Sequence, residues 1–241
     1  MFKSNEFVTV VSGLPRSGTS LMMQLLKAGG MAVLTDEVRG ADANNPLGYY
    51  EFEPVKRTHL DASWLTKAKG KAVKMVYRLV YDLPADYAYR VIVMRRDLRE
   101  VLTSQRKMLV CRGRRADAVC EEEIGQLFRR DLEEFESWLR TQPNFKSLSV
   151  SYNELLQNSC RPLAVIDAFL GGGLDTDAMA KGIDRSLYHF RGGRRSLGVD
   201  RGGALPDVPR RSHSGAVYHD GRQGSSFYSA RKPGRPLRLG Q

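Results

Sequence analysis

No apolar stretch in the 241-residue chain approaches the roughly 20 residues a helix needs to span a bilayer, so no membrane-spanning segment is expected. The N-terminus, Met1-Phe-Lys-Ser-Asn-Glu-Phe7, has no apolar h-region and leads almost at once into a β-branched run, so no secretory leader is expected either. Cysteine is scarce. Cys111, Cys120 and Cys160 are odd in number and lack C-x-x-C spacing. That argues against a disulfide framework or a thiolate zinc site, and points to reduced thiols and a cytoplasmic location.

What is present suffices for one sizeable α/β domain. The hydrophobic content of 41% is compatible with a packed core, and the length leaves room for little else. The formal charge of +11 is uneven: residues 192–241 hold ten Lys or Arg against three Asp, so +7 lies in this segment and +4 in the rest. The segment is rich in Gly, Arg, Ser and Pro with few paired apolar positions, and reads as a disordered or adaptable tail following a folded domain of residues 1–191.

The chain is organised around Val8 to Leu26. A short β-branched run, strand 7–12, passes through a loop bearing Gly13 and Gly18 into an apolar helix pattern from Thr19 to Lys27, which Gly29-Gly30 ends. A buried strand, a glycine turn and a helix N-terminus together make an anion site, because backbone N–H groups converge there and the helix dipole adds positive charge. Gly13 and Gly18 have the G-x-x-x-x-G spacing of a nucleotide loop, but Thr19 and Ser20 follow where a Walker sequence has Lys. The next long strand, Tyr89–Met94, ends in Arg95-Arg96 rather than in the Asp that helps hold magnesium. The loop suits phosphate without the two usual devices for a metal-bound triphosphate.

Two blocks carry a resemblance to the sulfotransferases that use the donor PAPS (3′-phosphoadenosine 5′-phosphosulfate). Leu14-Pro15-Arg16-Ser17-Gly18-Thr19-Ser20 resembles that family's 5′-phosphosulfate loop. Val91 to Ser104 resembles its 3′-phosphate motif, with Arg96 ending a strand and Ser104 eight residues later on a helix that Asp97 caps. Two further blocks are similar. Lys71 to Tyr77 reads as a strand in which Lys74 matches the family's sulfate-binding Lys, while Val76 stands at the catalytic His position of its cytosolic members. Tyr152-Asn-Glu-Leu, after the strand Asn144–Val150 and before the helix Pro162–Leu170, resembles a late block whose Tyr packs beside the adenine.

The resemblance implies a three-layer α/β/α fold with a central parallel sheet of the P-loop nucleotide-binding type. It implies transfer of a sulfuryl group from PAPS to a hydroxyl or amine of a small-molecule, carbohydrate or lipid acceptor, with adenosine 3′,5′-bisphosphate as product and no metal. Pro15, Arg16, Ser17, Gly18, Thr19, Ser20, Arg96, Ser104 and Tyr152 would hold the donor, and Arg16 and Lys74 would balance charge on the leaving phosphate. An acceptor also needs a base. In the tyrosylprotein branch the catalytic Glu follows the loop Arg by 21 residues, an offset that lands here on Glu37. Glu51, in the polar and aromatic loop Met31–Pro54, is the second candidate and His59 the third.

The remaining expectations are structural. A helix is expected over Val55–Ala68, with Leu60, Trp64 and Leu65 on one face, and another over 116–140, with Ile124, Leu127, Phe128, Leu132, Phe135, Trp138 and Leu139 inward. Two other functions fit parts of the sequence: an ATP-dependent P-loop kinase, and a nucleotide- or RNA-binding protein that uses the basic tail.

Overall fold

In the computed structural model, which describes residues 7–36, 48–111 and 121–183, the first β-branched run forms β1 (Val8–Gly13), buried at all six positions. Four more strands join it in parallel: β2 (Ala32–Leu34), β3 (Lys71–Lys74), β4 (Tyr89–Arg95) and β5 (Phe145–Ser151). Their order, β2-β3-β1-β4-β5, puts β1 in the centre. A strand covered on both faces must be apolar at successive positions. Val8 and Val10 of β1 and Tyr89, Val91 and Val93 of β4 enter one core, while Val11, Ile92 and Met94 enter the other.

Helices cover both faces, so the architecture is the expected α/β fold with a central parallel sheet. One layer contains α1 (Thr19–Ala28), α5 (Tyr152–Gln157), α6 (Cys160–Leu170) and α7 (Thr176–Lys181), which bury Met22, Met23, Leu25, Leu26, Leu155, Leu163, Ile166 and Met179. The opposite layer contains α2 (Tyr77–Val80), α3 (Leu98–Cys111) and α4 (Glu121–Thr141). Phe135 of α4 is fully buried, with Tyr77 and Tyr81 edge-on at 5.9 and 5.7 Å and Trp138 stacked at 6.4 Å. Losing a buried phenyl of this kind costs roughly 3–5 kcal/mol, so the cluster is a principal anchor of α4 on the sheet. Tyr77 also donates to Asp131 at 2.5 Å and accepts from Arg78 at 2.8 Å. Burial, and then the bond to Asp131, push its hydroxyl up to about 12.

Several boundaries differ from the sequence reading. Residues 55–68 are not one helix: two 3₁₀ turns, Glu53–Arg57 and Ser63–Lys67, replace it. The Asp61 carboxylate accepts from the Ser63 N–H at 2.8 Å and the Thr58 hydroxyl donates to the Val55 carbonyl at 2.8 Å. These local bonds compete with the helix ladder and break it between the turns. Trp64 and Leu65 are buried as expected, but Leu60 sits in the break and is 77% exposed. The strand from Lys71 stops at Lys74, after which Met75 donates one last bond to the Val11 carbonyl at 3.0 Å and Tyr77 begins α2. The expected helix 116–140 is seen as Glu121–Thr141; residues 116–120, like the tail 192–241, lie outside the described residues. Cys160 is exposed and unpaired. No described helix is long and apolar enough to cross a membrane.

The two cores draw on residues up to Ile183 among those described. Because residues 192–241 have few paired apolar positions, a chain ending at Arg191 is expected to keep a single cooperative thermal transition. Aggregation, or a transition that broadens on truncation, would show that residues 192–241 belong to the folded body.

Candidate functional site

The chain leaves β1 toward the α1 layer and leaves the adjacent β4 toward the α3 layer. Neighbouring strands whose helices depart to opposite faces open a crevice at their C-terminal ends, where open α/β sheets bind ligands. The glycine loop and Arg96 both lie there.

Gly13 begins the loop with φ 147°, and a Cβ there would lie 2.7 Å from both the Met94 carbonyl and the Ser17 Oγ. Only glycine lets β1 and β4 approach this closely. The Ser17 N–H then donates to the Leu14 carbonyl at 3.1 Å, closing a turn around Pro15 and Arg16. Arg16 has φ 70°, a left-handed conformation uncommon for a residue with a side chain. Pro15 is exposed, whereas Arg16, Thr19 and Ser20 are half-buried. Gly18, at φ 100°, precedes the first turn of α1, which has neither a side-chain cap nor an acidic residue. The Ser17 Oγ is buried without a hydrogen-bond partner. An orphaned buried hydroxyl beside an uncapped helix N-terminus is the expected form of an anion cradle.

Arginines close the cradle. The Arg16 Nε donates to the Ser104 Oγ on α3 at 2.9 Å, across 88 residues of sequence. The Arg96 Nη1 donates to the Arg16 carbonyl at 3.3 Å, and its guanidinium lies 4.4 Å over the ring of Tyr152, the first residue of α5. That ring in turn packs on Gly18: a Cβ there would meet the Tyr152 Cδ2 at 2.3 Å. Burial raises the Tyr152 pKa; the Arg96 charge opposes this and the Glu100 charge adds to it. The hydroxyl thus stays protonated at neutral pH.

Arg96, Ser104 and Tyr152 therefore meet the glycine loop, although the Ser104 hydroxyl pairs with Arg16 rather than with Arg96. On the far side of the loop, Lys74 donates its Nζ to the Tyr49 carbonyl, which the Ser20 hydroxyl also reaches at 3.4 Å. The Glu51 carbonyl accepts from the Thr35 hydroxyl and the Asp36 N–H, both at 3.1 Å, so the stretch bearing Glu51 runs beside residues 35–36. Glu37 lies outside the described residues. His59 is exposed between the two 3₁₀ turns rather than on a helix. Among the described residues, no group of three or more His, Cys, Asp or Glu is arranged to hold a metal ion.

Sequence reasoning missed Glu100 and Asn153. Glu100 is 7% exposed and accepts from the Arg96 Nε at 2.8 Å and from the Asn153 Nδ2 at 3.0 Å. The four-residue spacing from Arg96 to Glu100 was the available signal.

No protein-family model matches the chain, and no curated protein matches its sequence. Among solved structures, it is similar to a sulfotransferase domain from the curacin biosynthetic pathway, with 17% identity and a TM-score of 0.44 over 76% of this chain and 80% of the other. A sulfotransferase domain from the Synechococcus PCC 7002 olefin synthase matches with 15% identity and a TM-score of 0.47 over the same shares. Retinol dehydratase, in complex with androsterone and the inactive cofactor PAP, matches with 17% identity and a TM-score of 0.42 over 72% of this chain and 62% of that one. Likenesses at this level decide nothing about activity, and the functional reading stands on the residues of the site.

Proposed function

We propose that the protein is a PAPS-dependent sulfotransferase. The observation that carries this reading is the convergence of the two phosphate-type motifs: Arg16 of the loop bonds Ser104, and Arg96 bonds the loop backbone. The orphaned Ser17 hydroxyl and the uncapped start of α1 support it as a place for anionic oxygens. Residues Pro15 to Ser20 hold the 5′ end of the donor, Arg96 and Ser104 the 3′-phosphate, and Tyr152 packs beside the adenine. When bound, the donor supplies a sulfuryl group whose bond to the 5′-phosphate oxygen breaks as an acceptor oxygen or nitrogen bonds sulfur.

Arg16, Lys74 and the first N–H groups of α1 balance the charge that grows on the departing phosphate, a role of fixed positioning and electrostatics. A carboxylate, Glu37 or Glu51, takes the acceptor's proton. The acceptor is a small molecule, or a carbohydrate or lipid hydroxyl or amine.

Calorimetry without magnesium tests the reading. Adenosine 3′,5′-bisphosphate is expected to bind, and at 100 times its Kd to stabilise the fold by about 2.7 kcal/mol. Arg96→Ala should cost roughly 1.5–3 kcal/mol of bisphosphate affinity and spare adenosine 5′-monophosphate. Stabilisation by Mg·ATP alone would point to a kinase, and binding of single-stranded RNA alone to a nucleic-acid-binding protein.

A further inference from the structure

We infer that Glu100 is a positioning residue that fixes Arg96 for recognition of the donor's 3′-phosphate, an inference that rests on the donor reading above. A carboxylate beside an anion site is a paradox on charge alone, since it repels the ligand. It is also costly to bury unless paired. Both oxygens are committed here: Oε2 accepts from the Arg96 Nε at 2.8 Å and Oε1 from the Asn153 Nδ2 at 3.0 Å. The Arg96 and Glu100 side chains are only 13% and 8% exposed, so this is not a solvated helix pair.

The bonds link three elements. Arg96 precedes α3, Glu100 lies in its first turn, and Asn153 follows Tyr152 on α5. The Asn153 Oδ1 accepts from the Asp97 N–H at 3.3 Å, returning the chain of bonds to the start of α3. Glu100 grips Arg96 by Nε, while Nη1 reaches the Arg16 carbonyl and the plane lies over Tyr152. An arginine held at these points reaches an anion without first losing its rotamer freedom, which is how pre-organisation strengthens binding. Glu100→Gln keeps size and shape but sets an amide NH₂ against one of two donors, Arg96 or Asn153.

The test measures Kd for adenosine 3′,5′-bisphosphate and for adenosine 5′-monophosphate in the wild type, Glu100→Gln, Arg96→Ala and the double variant. The ratio of the two affinities is expected to fall about tenfold in Glu100→Gln, with the monophosphate changed by less than about twofold. In the Arg96→Ala background, adding Glu100→Gln should leave the ratio where Arg96→Ala put it, because Glu100 acts through Arg96. Equal losses for both nucleotides, or a further fall in the double variant, overturn the proposal. If Glu100→Gln does not fold, Asn153→Ala, which removes the second anchor of the carboxylate together with the acceptor of the Asp97 N–H, decides: a smaller fall in the ratio supports the proposal and an unchanged ratio overturns it. A wild type that does not prefer the bisphosphate overturns the donor reading and this inference together. A wild-type preference that survives Glu100→Gln overturns the inference alone.

Discussion

Gly18→Ala is expected to lower the melting temperature by roughly 5–15 °C and to abolish nucleotide stabilisation of what remains folded. Two effects add. The left-handed backbone at φ 100° costs a residue with a Cβ roughly 1–2 kcal/mol. The methyl would also stand 2.3 Å from the Tyr152 Cδ2, and overpacking of this kind costs roughly 1–3 kcal/mol. Relief requires the Tyr152 ring to move, and with it the surface on which Arg96 rests. Gly30→Ala is the control, since Gly30 has φ 93° with nothing within 4 Å of its Cβ position. It should show the backbone cost alone and keep nucleotide binding. Equal melting shifts in the two variants would mean that the Tyr152 contact contributes nothing.

The second large effect concerns the proton. Replacing the general base by its amide is expected to reduce sulfuryl transfer by roughly 10²–10⁴-fold while leaving bisphosphate affinity intact. Glu37→Gln and Glu51→Gln should be compared once an acceptor is in hand, by single-turnover rates and by calorimetry on the same preparations. The Asp36 N–H bonds the Glu51 carbonyl at 3.1 Å, so the backbone at Glu51 abuts the residue just before Glu37 in the chain. Only the base should show a transfer defect of that size without a binding defect. Unchanged turnover in both variants would remove the carboxylates and leave His59 to be tested.

The legible parts of the fold were those with strong periodicity and a physical stop. β1, its loop and α1 could be read because β-branched residues give way to glycines and then to an apolar stripe. The end of α6 could be read because Gly171 supplies the left-handed φ of 101° that closes the helix. β2 was not legible: three residues, none of them buried, carry no usable period. The break at Asp61 was hidden because an apolar pattern from Val55 to Leu65 suits a helix, while two local side chain-to-backbone bonds decide otherwise. In the site, the motif residues could be placed on loop, strand end and helix, but not their partners. That Lys74 bonds the Tyr49 carbonyl, or that Arg16 rather than Arg96 meets the Ser104 hydroxyl, depends on backbone atoms and rotamers that sequence does not encode locally. Glu100 was overlooked because an acid in the first turn of a helix is ordinarily explained by the dipole.

The bond from Arg16 to Ser104 has a consequence for the time course of folding. It closes a loop of 88 residues, and the Arg96 bond to the same turn closes one of 80. Contacts so distant in sequence carry a large loop-closure entropy and form late in parallel α/β proteins. The Arg16 turn can meet Arg96 and Ser104 only after β4 has paired with β1, so under the function proposed above nucleotide binding during refolding is expected no earlier than the docking of β4.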